Sequence, residues 1–146
     1  MPGKLPAHWR TRSTAIGPIY LYSVREWAAS PRADFAPLPG THGKRFPGAK
    51  QLIVVRGGGV ATLSIAPEDR AVASLMYDNI PFDHGYAVAD GDPSVTFSDC
   101  ATPATQWAGA FVVAGARCVR LLVNDATGRR VAARRIAFGV RGCASR

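Results

Sequence analysis

The sequence predicts an all-β domain, an antiparallel two-sheet sandwich of about eight or nine strands. Three observations carry this. Short apolar runs with period-two alternation recur along the chain, separated by Gly, Pro and Asp turn signals. No stretch of useful length has the 3.6-residue period of an amphipathic helix, so the parallel strand–helix–strand arrangement lacks its helices. Glu and Lys, on which helical surfaces lean, are scarce beside Ala, Arg, Gly, Val and Pro. With 146 residues, 47% of them apolar and 19% charged, the chain suits one ordinary domain and argues against disorder.

Residues 1–12 read as a flexible basic lead-in, and 13–146 as a single sandwich domain. Ile16 to Val24 is the expected first strand, with Pro18 near its start, where a missing N–H matters least. Arg25 to Ala29 suits one helical turn or a strand extension. Residues 30–50, rich in Pro and Gly, form a long loop of a length that points to function or mobility. Leu52 to Arg56 has the continuous apolar run of a central strand. Gly57 to Gly59 joins it to the alternating Val60 to Ile65 as a hairpin.

Pro67 to Arg70 is a turn, Val72 to Tyr77 a strand, 78–85 a loop and Tyr86 to Ala89 a short strand. Asp90 to Pro93 is a strong turn, after which Val95 and Phe97 alternate with polar residues. Trp107, Gly109, Phe111 and Val113 share one face of the next strand, and Val119, Leu121 and Val123 one face of the strand after it. Asn124 to Gly128 is a hairpin turn, and Val131 to Val140 closes the domain. The last three strands read as a meander over 106–114, 117–125 and 130–140. The start of the second then lies beside the end of the third, which brings Cys118 near Cys143. Cys100 falls at the opposite end. The expected bond is Cys118–Cys143, closing a loop of about 25 residues. In a cytosolic setting all three thiols would be reduced.

The formal charge is +8, and most of the cations are Arg. Eight arginines lie between Arg117 and Arg146, where Asp125 is the only acid. Such asymmetry suits either an anionic partner or a solvated, arginine-biased surface. Arg129, Arg130, Arg134 and Arg135 are the candidate anionic-partner surface. No run approaches the roughly 18 apolar residues of a membrane span. Met1 to Thr14 has no apolar core of a secretory signal, so the chain reads as cytoplasmic or as following an upstream segment.

Catalytic and metal motifs are sparse. The glycine triplet 57–59 lacks the GK[ST] and the helix that frame a phosphate loop, and suits a turn. Asp78, Asp83, His84, Asp90 and Asp92 form the one acidic cluster with a nearby imidazole, a site for metal or acid–base chemistry. Turn chemistry explains Asp90 and Asp92 without a ligand. His8 and His42 lie in the lead-in and the long loop, there is no GxSxG elbow, and no CxxC pair exists. The expectation is no catalytic residue, no metal and no cofactor. Trp107 alternates with core residues. Trp27 sits beside the long loop, where it is either a packed edge residue or an exposed aromatic able to grip a sugar or a base.

The runs "LIVVRGGGVATLSIAPEDR", "YAVADGDPSVTFSDC", "TQWAGAFVVAGARCVRLLV" and "RRIAFGVRGC", with "AIGPIYLY" near the start, resemble an uncharacterised set of exported or envelope-associated β-sandwich domains common in GC-rich actinobacteria. The likeness covers Ile16 to Cys143. Trp107 and Ala110 depart from the "TQF.GGF" pattern of that set. The resemblance implies an immunoglobulin-like sandwich in an extracytoplasmic location, secreted or in the cell envelope. It implies no activity.

The function expected is therefore that of a non-enzymatic envelope or secreted recognition domain. Its partner would be an anionic wall polymer or another envelope protein, with nucleic acid behind both. The first alternative is a structural subunit pairing through a sheet edge. The second is a small enzyme or metal-binding protein using the 78–92 loop.

Overall fold

A computed structural model describes residues 5–35, 48–56, 59–77, 87–98 and 104–144. Nine strands lie among them, in two antiparallel sheets packed face to face, and the helical segments are short. The strands are β1 (Ser13–Ile16), β2 (Ile19–Tyr22), β3 (Gly48–Arg56), β4 (Val60–Ile65), β5 (Ala73–Met76), β6 (Ser94–Ser98), β7 (Ala104–Val113), β8 (Arg117–Asn124) and β9 (Arg130–Phe138). One sheet has the order β1-β2-β3-β7-β5 and the other β6-β4-β8-β9. The predicted sandwich is the observed architecture.

The pairing departs from the sequence reading in four places. The single strand over Ile16 to Val24 is a hairpin: Ile16 faces Ile19 across Gly17 and Pro18. Gly17 takes φ 57 and the proline ring fixes a negative φ after it, the combination a tight two-residue hairpin needs. The glycine-linked strands β3 and β4 are no hairpin, because they belong to opposite sheets. The three-strand meander fails for the same reason: β7 pairs with β3 and β5, and of the three strands β8 and β9 alone form a hairpin. Val88–Asp90 is a 3-10 turn where a strand was expected. From β3 to β8 each successive strand changes sheet, so most ladders join residues far apart in sequence.

The 30–50 stretch is partly structured. Arg32–Phe35 form a 3-10 turn, and Gly48–Lys50 already belong to β3. Phe35 is fully buried and anchors this segment. Arg25 to Ala29 is helical, within the 3-10 segment η1 (Val24–Ala29). Before β1, Trp9–Arg12 make one α-helical turn, and Trp9 packs edge-on against Tyr20 at 5.0 Å.

The inward rows of both sheets make one core. Ile53, Val55, Phe111 and Val113 face Leu63, Ile65, Leu121 and Phe138 across the sandwich. Burying each such side chain is worth about 1.5–3 kcal/mol. Aromatic rings run through this space in sequence: Phe35–Phe138 and Phe138–Phe111 at 5.8 Å, Phe111–Tyr77 at 6.2 Å, Tyr77–Phe97 at 5.3 Å and Phe97–Trp107 at 5.7 Å. Gly109 makes room for this row, since a Cβ there would strike the Tyr77 ring and the Met76 carbonyl.

Gln51, which is 1% exposed, links the polar atoms of Tyr22, Trp27 and Tyr77. Its Nε2 donates to the Tyr22 and Leu52 carbonyls, each at 2.8 Å, and its Oε1 accepts from Trp27 Nε1 at 2.8 Å. Tyr77 Oη donates to the Gln51 carbonyl at 2.8 Å, and burial raises the Tyr77 hydroxyl pKa well above its ordinary value. Trp27 is thus a packed strut and not an exposed platform.

Cys118 and Cys143 are bonded, with Cα atoms 5.8 Å apart. The β8–β9 register explains it: Cys118 pairs with Ala137, so the chain leaving β9 passes the start of β8. Cys100 lies outside the described residues.

Gly109→Ala should lower the urea midpoint by an amount equivalent to about 2 kcal/mol or more, because the obstructing carbonyl is backbone and cannot rotate aside. Gly142, where an added Cβ meets nothing, is the control. Equal midpoints for the two alanine variants would contradict the packing described. Reducing the disulfide, whose cysteines are 25 residues apart, should cost about 3 kcal/mol in the same assay.

Candidate functional site

The β8–β9 hairpin carries most of the chain's concentrated positive charge, and its turn is built to hold it. Asp125 Oδ1 accepts from Thr127 N at 2.9 Å, Thr127 Oγ1 at 2.6 Å and Arg129 N at 3.0 Å. Gly128, at φ 85, supplies the left-handed step that returns the chain. The Thr127 hydroxyl first, and then the backbone donors and Arg129, hold the Asp125 carboxyl below its usual range. Arg129 Nε lies 3.5 Å from Asp125 Oδ2, and Arg130 Nε donates to Asn124 Oδ1 at 3.2 Å. A register shift at Val123/Asn124 sets Arg130 opposite Asn124. Two of the four arginines singled out from sequence are therefore engaged at the turn.

The other two, Arg134 and Arg135, lie farther along β9. Arg135 stands directly opposite Arg120 in the ladder, and Arg134 opposite Leu121. Like charges in register repel, and Glu68 offsets this pair. Its carboxylate lies 3.4 Å from Arg120 Nη1. Glu68 titrates below its ordinary value, chiefly through its own backbone N–H and then through Arg120, with Arg135 adding attraction. Asp69 Oδ2 accepts from the Arg120 backbone N–H at 2.7 Å, which ties the Pro67–Asp69 turn to β8. A depression of about 730 Å³ opens here, lined by Glu68, Arg120, Arg134, Arg135 and Cys143.

A second crevice lies on the other side of β9, against η1 and β1. Arg25, Arg134, Arg135 and Arg141 line it together with Thr14 and Cys143. Among the described residues that line the two openings, Glu68 is the only carboxylate. Arg25 Nε donates to Thr14 Oγ1 at 3.4 Å, and Arg134 Nη1 to the Ala15 carbonyl at 3.4 Å. Gly139 N donates to the Trp27 carbonyl at 2.8 Å, which locks η1 to the end of β9. The two openings share Arg134, Arg135 and Cys143, so the basic surface wraps around the strand.

Arg25, Arg120 and Arg141 complete this surface and were not singled out from sequence. Arg120 was readable, because its odd-numbered neighbours Val119 and Leu121 face the core and leave it facing outward. Arg25 carries no local signal, and only the packing of η1 on β9 brings it in.

The alternative chemistry gathers less support. Asp90 Oδ2 accepts from Ala87 N at 2.7 Å, and Asp92 exchanges backbone hydrogen bonds with Leu75, so both serve the turn. His42, Gly57, Gly58, Asp78, Asp83 and His84 lie outside the described residues. Among the described residues no three His, Cys, Asp or Glu side chains are grouped to hold a metal, and no helix is long and apolar enough to cross a membrane. Comparison with protein-family models, with curated proteins and with solved structures finds no match.

The depressed Asp125 pKa makes the turn acid-sensitive. A carboxylate stabilised in the fold contributes above its unfolded pKa and loses that contribution as pH falls through its folded pKa. Asp125→Ala should therefore be less stable than the parent at neutral pH. The gap should close as pH drops below 3.8, the ordinary value. A gap independent of pH would contradict the turn geometry.

Proposed function

We propose that this protein is a non-enzymatic recognition domain that binds an extended polyanion along the β8–β9 hairpin. The observation that carries the reading is the continuous basic surface around β9, with Arg120, Arg134, Arg135, Arg25 and Arg141 against a single lining carboxylate among the described residues. Its shape favours a polymer over a small anion. Arg130 to Arg135 alone covers about 17 Å of strand, and Arg141 extends the track past the end of β9.

The chemistry of the lining favours phosphate, sulfate or carboxylate groups over nucleobases. Single-stranded nucleic acid sites interleave cations with stacking aromatics, and no aromatic side chain is among the described residues lining either opening. The Cys118–Cys143 bond supports an oxidising compartment, which agrees with the resemblance to envelope-associated domains. An anionic wall polymer is the partner that joins these two strands of support.

Binding to polyphosphate and to dextran sulfate, with neutral dextran as control, tests the reading. Affinity should fall steeply with salt, and Arg134→Ser with Arg135→Ser should reduce the slope of log Kd against log salt by about 1.5. Equal binding of neutral dextran, or affinity unchanged between low and high salt, would overturn it.

A further inference from the structure

The crevice between η1 and β9, about 410 Å³ in volume, differs in kind from the rest of the basic surface. We infer that it is a socket for one phosphoryl group, such as the terminal phosphate of an anionic polymer. This rests on the polyanion reading and adds a specific group to it.

Four arginines from three separate elements line the crevice: Arg25 from η1, Arg134 and Arg135 from β9, and Arg141 from the tail. No carboxylate lines it among the described residues, so their mutual repulsion has no internal counterion. Arg135 shares Glu68 on the far side of the strand, whereas Arg25, Arg134 and Arg141 have no ion pair among the described residues.

Thr14 supplies the second, independent observation. Its side chain lines the crevice, yet the residue is only 4% exposed. Its hydroxyl oxygen accepts from Arg25 Nε at 3.4 Å. With its oxygen accepting from Arg25, the hydroxyl can turn its proton toward the crevice. A guest oxygen between Thr14 and the arginines would take that proton.

The donor arrangement selects the guest. Donors from three sides suit a group with three peripheral oxygens, and a planar carboxylate offers two. A terminal phosphate also carries up to two negative charges, which matches several arginines better than a sulfate ester does. Guanidinium forks are pre-shaped for such oxygens.

The fold holds the socket open without the guest. Arg25 is fixed by Thr14, and η1 by the Trp27–Gln51 hydrogen bond. Arg141 is kept at the rim because the tail is bonded two residues later, at Cys143. Reduction of that bond should therefore weaken phosphate binding as loss of Arg141 does.

Titration of the oxidised full chain with inorganic phosphate, methyl phosphate, methyl sulfate and polyphosphate tests the inference. Phosphate should bind with saturation, and methyl phosphate more tightly than the singly charged methyl sulfate. Arg25→Ser with Arg141→Ser should raise the Kd for phosphate at least tenfold. A charge-matched variant, Arg56→Ser with Arg70→Ser, should leave it within twofold. Thr14→Val should raise Kd several-fold, while Thr14→Ser, which keeps the hydroxyl, should restore it. Polyphosphate binding without saturable phosphate binding, or with equal affinity for the two double-serine variants, would remove the socket and leave the polyanion reading standing. No binding of polyphosphate at all would remove both. Equal affinity for methyl phosphate and methyl sulfate would overturn the phosphoryl assignment.

Discussion

The row of aromatic rings between the sheets is the constraint on which the rest depends. Successive strands from β3 to β8 change sheet, so hydrogen bonding within one sheet cannot hold the chain's neighbours together. The face-to-face packing has to do so. Phe111 sits mid-row, touching Phe138 on the opposite sheet and Tyr77 beside it, and Tyr77 passes the contact on to Phe97. Edge-to-face pairs of this kind add about 0.5–1.5 kcal/mol each beyond their burial. Gly109 is the compensating absence that lets Tyr77 enter the row.

That core reaches the basic surface through two short chains of contact. At one end of the row, Phe35 meets Phe138 edge-on beside Gly139, whose N–H holds the Trp27 carbonyl. From the Tyr77 ring the chain is polar: Tyr77 Oη to the Gln51 carbonyl, then the Gln51 side chain to Trp27 Nε1. Both converge on η1, the segment that carries Arg25. A cation 109 residues before Arg134 is thus positioned by the bonds that hold η1, together with its own contact to Thr14. The disulfide does the same for the tail, at the other rim.

Which parts of this were legible in the sequence follows from what is local. Period-two alternation is set by the pleat, so the rows Val119–Leu121–Val123 and Ile136–Phe138 were readable and lie in the core. Strand partners are not local. A glycine turn between two alternating runs looks the same whether the chain doubles back within a sheet or steps to the other one, which is why β3–β4 read as a hairpin and β7 as part of a meander. The disulfide survived that error because it depends only on the β8–β9 hairpin, whose Asp125–Gly128 turn has its own signature. Arg134 and Arg135 were legible as charge excess, whereas Arg25 and Thr14 join them only through tertiary packing.

Arginines on an edge strand have a second explanation. β9 is the last strand of its sheet, and charged side chains on such an edge deter pairing with another chain. That role accounts for Arg130, Arg134 and Arg135, and it weighs against assembly through this edge. It does not account for Arg25, on a 3-10 segment, or Arg141, in the tail, since neither lies on a strand that could pair. Nor does edge protection need a buried hydroxyl between them. Protection would be served by solvated charges pointing apart, but Arg25, Arg134 and Arg141 come together on one crevice with Thr14. Convergence at a repulsive cost, and not charge alone, is what separates a binding surface from a soluble one.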